Sequence, residues 1–142
     1  MPKYEYAKGR IEESLQYISS EIKEFDLDYG AKTWVDYQND KKLQKLMDRT
    51  IENVLTALIE VCGTILVEDE QKVENYSQVL AECGRKFGFS KQEQDGLAKL
   101  AIQRNRMAHR YLNFRWQAVV TFKELKPLIS MLLLKILESK GS

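Results

Sequence analysis

Apolar residues near the start of the chain fall at Ala7, Ile11, Leu15, Ile18, Ile22 and Phe25, spacings of four and three that trace one stripe of a helix. The pattern predicts a first helix over residues 3–25. Residues 26–40 break the period with Gly30, Asn39 and several aspartates, yet they hold Tyr29, Trp34 and Tyr37. This stretch reads as a loop that packs aromatics onto the body. The helical period resumes over residues 40–67 at Leu43, Met47, Thr50, Val54, Leu58, Val61 and Ile65, flanked by Leu46, Ile51, Leu55, Ile59 and Cys62. So broad an apolar face suits a long central helix.

Residues 68–74 are acidic and polar and predict a turn, after which Tyr76, Val79, Leu80 and Cys83 mark a shorter helix that stops near Gly84 or Gly88. Ser90 and Glu93 have the spacing of a capping box, in which hydroxyl and carboxylate each satisfy an amide of the other residue. The helix they start carries Leu97, Leu100, Ala101, Met107 and Ala108 and is expected to end around residues 111–113. A last helix over residues 117–139 carries Val120, Leu125, Ile129, Leu132, Leu133, Ile136 and Leu137, and Pro127 should kink it or begin its second half. Nothing alternates with period two and no repeat is visible, so the fold class is all-α. The expectation is one domain over residues 1–142, an up-and-down bundle of four long helices plus a short helix.

A chain of 142 residues and 16.6 kDa, 44% hydrophobic and 30% charged, has room for one core. One histidine, His109, and two cysteines, Cys62 and Cys83, exclude a zinc ribbon, a Cys-x-x-Cys pair and a His-x-x-x-His motif. The cysteines read as small core residues. The glycines form neither a Walker loop nor a dinucleotide fingerprint, and no cofactor or metal site is expected. The first fourteen residues are charged, and the apolar run at residues 131–134 is far too short to span a bilayer. A cytoplasmic protein with no membrane partner is the expectation.

The formal net charge of +1 hides a segregation. Residues 96–123 contain Lys99, Arg104, Arg106, Arg110, Arg115 and Lys123 and no acid, a local +6, which leaves 16 basic against 21 acidic residues elsewhere, or −5. Such a window is either a solvated basic face or a phosphate-binding surface, since arginines match phosphate oxygens with paired donors. Tyr111, Phe114 and Trp116 interleave with the cations, as suits unstacked RNA bases. Trp116 and Trp34 are nonetheless expected to serve packing.

His109 lies in the same window. An imidazole can take and give a proton near neutral pH, and a nearby arginine can neutralise charge building on phosphorus. That would suffice for RNA cleavage without a metal, with the 2′-hydroxyl as nucleophile and a 2′,3′-cyclic phosphate as product. Equally, His109 could complement the partial negative charge at a helix C-terminus. On a straight helix Arg104 and Tyr111 share a face, whereas Arg104 and His109 are about 140° apart. Either the helix loosens near His109, or the arginine wraps round, or a second copy completes the site.

The run Arg104-Asn105-Arg106-Met107-Ala108-His109-Arg110-Tyr111 resembles the Arg-x4-His-x-Tyr signature of the HepT-like branch of the HEPN superfamily. The long central helix, the Asn75-Tyr76-Ser77 approach to a short helix and the motif late in the next helix follow that layout. The resemblance implies a HEPN-like bundle that forms a homodimer through the motif-bearing helices. It also implies a metal-independent endoribonuclease toxin, acting on RNA with tRNA the foremost substrate, paired with an MntA-like nucleotidyltransferase antitoxin. Arg104 and His109 would be catalytic, Asn105 supporting, and Tyr111 the acceptor of AMP. Lys99, Arg106, Arg110 and Arg115 would bind RNA. Leu112-Asn113 and the surrounding arginines are individual features. Tyr111 could instead be a cleft-wall aromatic. A non-catalytic RNA- or nucleotide-binding partner of a nucleotidyltransferase is the alternative, and a dimeric scaffold meeting an acidic protein is a third.

Overall fold

The computed structural model describes the backbone of residues 2–141 and the side chains of residues 9–139. Six helices follow in order: α1 (Pro2–Tyr29), α2 (Trp34–Gln38), α3 (Lys41–Glu68), α4 (Tyr76–Lys86), α5 (Lys91–Met107) and α6 (Leu112–Gly141), with no strand among the described residues. The fold is an all-α helical bundle, as the apolar periodicity predicts. α3 packs against all five other helices and buries Met47, Ile51, Val54, Leu55, Leu58 and Ile65. By length and composition α3 could cross a membrane; half of its most apolar window is buried inside the bundle.

The stripe expected on α1 faces the core from Ile11 to Phe25, all buried; the side chain of Ala7 lies outside the described residues. Phe25 meets Phe122 of α6 edge-on, with ring centroids 5.2 Å apart. Cys62 and Cys83 are free and buried, and their mutual hydrogen bond, followed by burial, raises the Cys62 thiol well above its ordinary range. α6 runs unbroken through Pro127, which sits on its exposed side.

α1 runs four residues past its expected end, to Tyr29, and two further boundaries differ from the sequence pattern. Within the loop expected at residues 26–40, Thr33 and Asp36 form a reciprocal cap (Asp36 N–H to Thr33 Oγ1, 3.3 Å; Thr33 N–H to Asp36 Oδ2, 3.0 Å) that starts the one-turn helix α2. The other difference lies at the motif. α5 begins as expected at the Ser90–Glu93 box but stops at Met107 rather than at residues 111–113, and α6 already begins at Leu112. The amides of Ala108 and His109 donate three residues back, to Asn105 and Arg106, closing α5 with a tight final turn. The chain thereby reverses early enough for Ala118, Val119 and Phe122 to reach the core.

Glycines set how close the helices come. A Cβ on Gly84 would sit 2.6 Å from Leu97 Cδ1, and one on Gly96 would sit 2.6 Å from Leu128 Cδ1, so α5 is held tightly against both α4 and α6. Gly88, with φ +85°, ends α4: its amide donates to Arg85 and that of Phe89 to Gly84, a Schellman closure that folds Phe89 into the core.

A buried polar knot ties α2, α3 and α6. The Tyr37 hydroxyl donates to Asp48 Oδ1 (2.6 Å), Gln44 Nε2 donates to Tyr37 O (2.7 Å), and Arg115 Nη1 lies 3.6 Å from Asp48 Oδ2. Trp34 and Trp116 pack around Tyr37, as packing residues should (centroids 6.4 and 5.1 Å from its ring). Burial lifts the Asp48 carboxyl above its usual range, outweighing the Tyr37 hydroxyl and the Arg115 cation, which pull it down. Asp48→Ala would leave Arg115 half-buried without its counter-charge, and should cost about 3 kcal/mol of stability in denaturant unfolding. A loss under about 1 kcal/mol would show that water satisfies the arginine instead.

Candidate active site

Arg104 sits in the last full turn of α5, half-buried, and its side chain reaches across to two other helices. Its Nε–H donates to Thr56 Oγ1 of α3 (2.8 Å), and its guanidinium lies 5.6 Å from the ring centroid of Tyr76 at the start of α4. Thr50 and Thr64 return their hydroxyls to carbonyls of α3 itself, whereas Thr56 holds Arg104. These contacts border a cavity of about 250 Å³, lined also by the apolar Ile59 and Val79.

His109 lies beyond the helix, in the connection at residues 108–111, all four of which are exposed. Its ring packs on Phe114 (centroids 4.7 Å) and Tyr111 (5.0 Å). The Tyr111 N–H donates to His109 Nδ1 (3.2 Å), and the side chain makes no hydrogen bond to the carbonyls at the end of α5 among the described residues. The backbone amide of His109 closes the last turn of α5, and its imidazole engages the Tyr111 amide and the two rings instead. With Nδ1 accepting, the neutral ring carries its proton on Nε2 and presents a donor there. Tyr111 is 55% exposed, with the Arg110 guanidinium 5.5 Å from its centroid.

The structure thus brings His109, Arg110, Tyr111 and Phe114 into one cluster and gathers Arg104, Thr56 and Tyr76 into another. No hydrogen bond or ring contact joins the two among the described residues. Asn105 is exposed on the final turn of α5, and Arg106 is half-buried beside it. Lys99 is exposed almost two turns earlier, in a groove with Glu93 and Asp95, so its ammonium has acidic company. Arg115 is turned inward to Asp48 and Gln44, which commits it to the buried knot in place of the RNA contact expected of it. Lys123 also serves the fold: its Nζ donates to the carbonyls of Gly30 and Lys32 after α1, and burial, then Lys126, lowers its pKa. Among the described residues no cluster of three His, Cys, Asp or Glu side chains could hold a metal.

Sequence patterns missed Thr56 as a site residue, because its position reads as a polar interruption of an apolar helix. Tyr76 was visible only as the apolar start of the short helix. The signal at both is tertiary, the approach of α5 to α3 and α4.

The family model for HepT-like ribonucleases matches residues 11–129, a span that includes both contact clusters. The chain belongs to the HepT-like ribonuclease family. No curated protein matches it. For a HepT-like chain the activity implied is cleavage of RNA; one cluster holds an imidazole and the other a guanidinium. Because the His109 side chain is exposed and touches only exposed partners, His109→Ala should change unfolding free energy by less than about 0.5 kcal/mol in denaturant titration. A larger loss would make the imidazole a structural residue.

Proposed function

We propose that this protein is a metal-independent endoribonuclease toxin whose active site is assembled from two protomers. The observation that carries the reading is the family match spanning Arg104 and His109. The separation of their contacts within one chain supports a composite site, because a two-fold partner could set one protomer's His109 against the other's Arg104. The surface beside the motif suits such an interface, with Tyr111, Phe114 (43% exposed) and Ile102 (45% exposed) offering apolar area to a neighbour.

In the proposed reaction the RNA 2′-oxygen attacks phosphorus and the 5′-oxygen leaves, giving a 2′,3′-cyclic phosphate. One imidazole takes the 2′-hydroxyl proton and another protonates the 5′-oxygen. Arg104 neutralises charge growing on the phosphoryl oxygens. A neutral His109 ring can hold a phosphoryl oxygen through Nε2–H, whereas the acid role requires the imidazolium, with Nδ1 released from the Tyr111 amide. Base work requires Nδ1, or a ring freed from the Tyr111 amide. Arg106 and Arg110 would hold flanking phosphates, with Lys99 further along and Asn105 supporting the turn.

Regulation follows from Tyr111. Its phenol oxygen would attack the α-phosphorus of ATP on an MntA-like nucleotidyltransferase, releasing pyrophosphate and leaving AMP on the ring. The added phosphate would sit beside Arg110, where it would compete with RNA. Localisation in the cytoplasm and tRNA as the foremost substrate belong to this proposal. The binding-module reading draws on one observation, the Nδ1 contact that keeps His109 from acting as a base at rest.

Purified protein should cleave bulk tRNA in excess EDTA and leave cyclic phosphate ends. His109→Ala should abolish cleavage, and Arg104→Ala should slow it about 100-fold or more. Binding without cleavage in the unmodified protein would favour the binding module. Light scattering at micromolar concentration should give twice 16.6 kDa; a monomer mass would remove the composite site. Incubation with the neighbouring nucleotidyltransferase and ATP should place AMP on Tyr111 and stop cleavage, whereas Tyr111→Phe should stay active under the same treatment. An adduct mapped to another residue would remove Tyr111 from this role.

A further inference from the structure

Gly63 is the anomaly of α3. Glycine weakens a helix interior, and Gly84 and Gly96 earn their places through close neighbours at 2.6 Å, but a Cβ on Gly63 would meet nothing within 4 Å. The space above Gly63 is open on both sides. Gly63 and Glu60 line the cavity of about 250 Å³ that holds Arg104, and both also line a larger groove of about 660 Å³ between α1 and α3.

The smaller cavity has an unusual mixture of walls. Buried Ile59 and Val79 supply apolar surface, and Tyr76, 53% exposed, supplies an aromatic ring beside the Arg104 guanidinium. Glu60 is exposed and makes no side-chain hydrogen bond or ion pair among the described residues. An unpaired carboxylate at this place would repel RNA phosphates, so backbone binding does not account for it. It can accept from N–H groups on a base edge, and guanine is the RNA base that offers two adjacent donors, N1–H and N2–H.

We propose that the cavity over Gly63 is a nucleobase pocket that seats a nucleotide next to the cleaved bond and prefers guanine. Tyr76 is the stacking surface, Glu60 accepts from N1–H and N2–H, and Gly63 leaves the room that a side chain would fill. The link to cleavage rests on the ribonuclease reading; the binding of the base does not.

Two measurements separate these. Titration with 5′-GMP and 5′-CMP, followed by backbone amide NMR, should shift residues around Gly63 and Tyr76 and show about tenfold tighter binding of 5′-GMP. Glu60→Gln should remove that preference while keeping the fold, and Gly63→Leu should weaken both nucleotides. On a randomised RNA, sequenced ends should favour guanine beside the cut and lose that bias in Glu60→Gln. Equal affinity for the two nucleotides, or a preference that survives Glu60→Gln, overturns the pocket. If no RNA is cut but 5′-GMP still binds there through Glu60, the ribonuclease reading fails and the pocket stands.

Discussion

A helix as apolar as α3 cannot face water along most of its circumference, and the remaining chain is arranged to cover it. α1 and α6 bring long stripes to it, and α4 and α5 close it from another side, so buried positions from all of these meet in one core. The places where α3 is polar then become informative. Gln44 and Asp48 appear where α2 and Arg115 arrive to satisfy them, and Thr56 appears where Arg104 crosses. These three interruptions of the apolar helix mark junctions with other helices.

This arrangement sorts the basic window into two populations. Arg115 and Lys123 look inward or backward, to Asp48 and to the carbonyls that follow α1, and so hold α6 in place. Arg106 and Arg110 remain near the outer end of α5, beside His109 and Tyr111. A local charge of +6 therefore overstates what an anion would meet, because Asp48 offsets Arg115 and the donors of Lys123 are occupied by backbone carbonyls.

Helix content and core stripes were legible because the period of three and four survives wherever α1, α3 and α5 bury a face. The Ser90–Glu93 box was legible because capping is local chemistry. α2 escaped because five residues carry too little periodicity, although Thr33 and Asp36 had the spacing of a cap. The end of α5 was misjudged because apolar residues continue past Met107, and only the return of α6 to the core settles where the chain must turn. Of the site, the motif residues could be read in order, but not their grouping. The partition of Arg104 toward Thr56 and Tyr76, with His109 toward Phe114, depends on tertiary approach.

The connection at residues 108–111 exposes all four of its side chains and lies outside the packed core. Its opening would break few buried contacts, so its motions can be frequent while the bundle stays folded. Substitutions there can accumulate without eroding the scaffold, whereas α5 just upstream is clamped by Leu97 against Gly84 and by Leu128 against Gly96. Changes in the connection and changes in the packing are thus nearly independent in this chain, the first falling on four exposed residues and the second on glycines that leave the helices no slack.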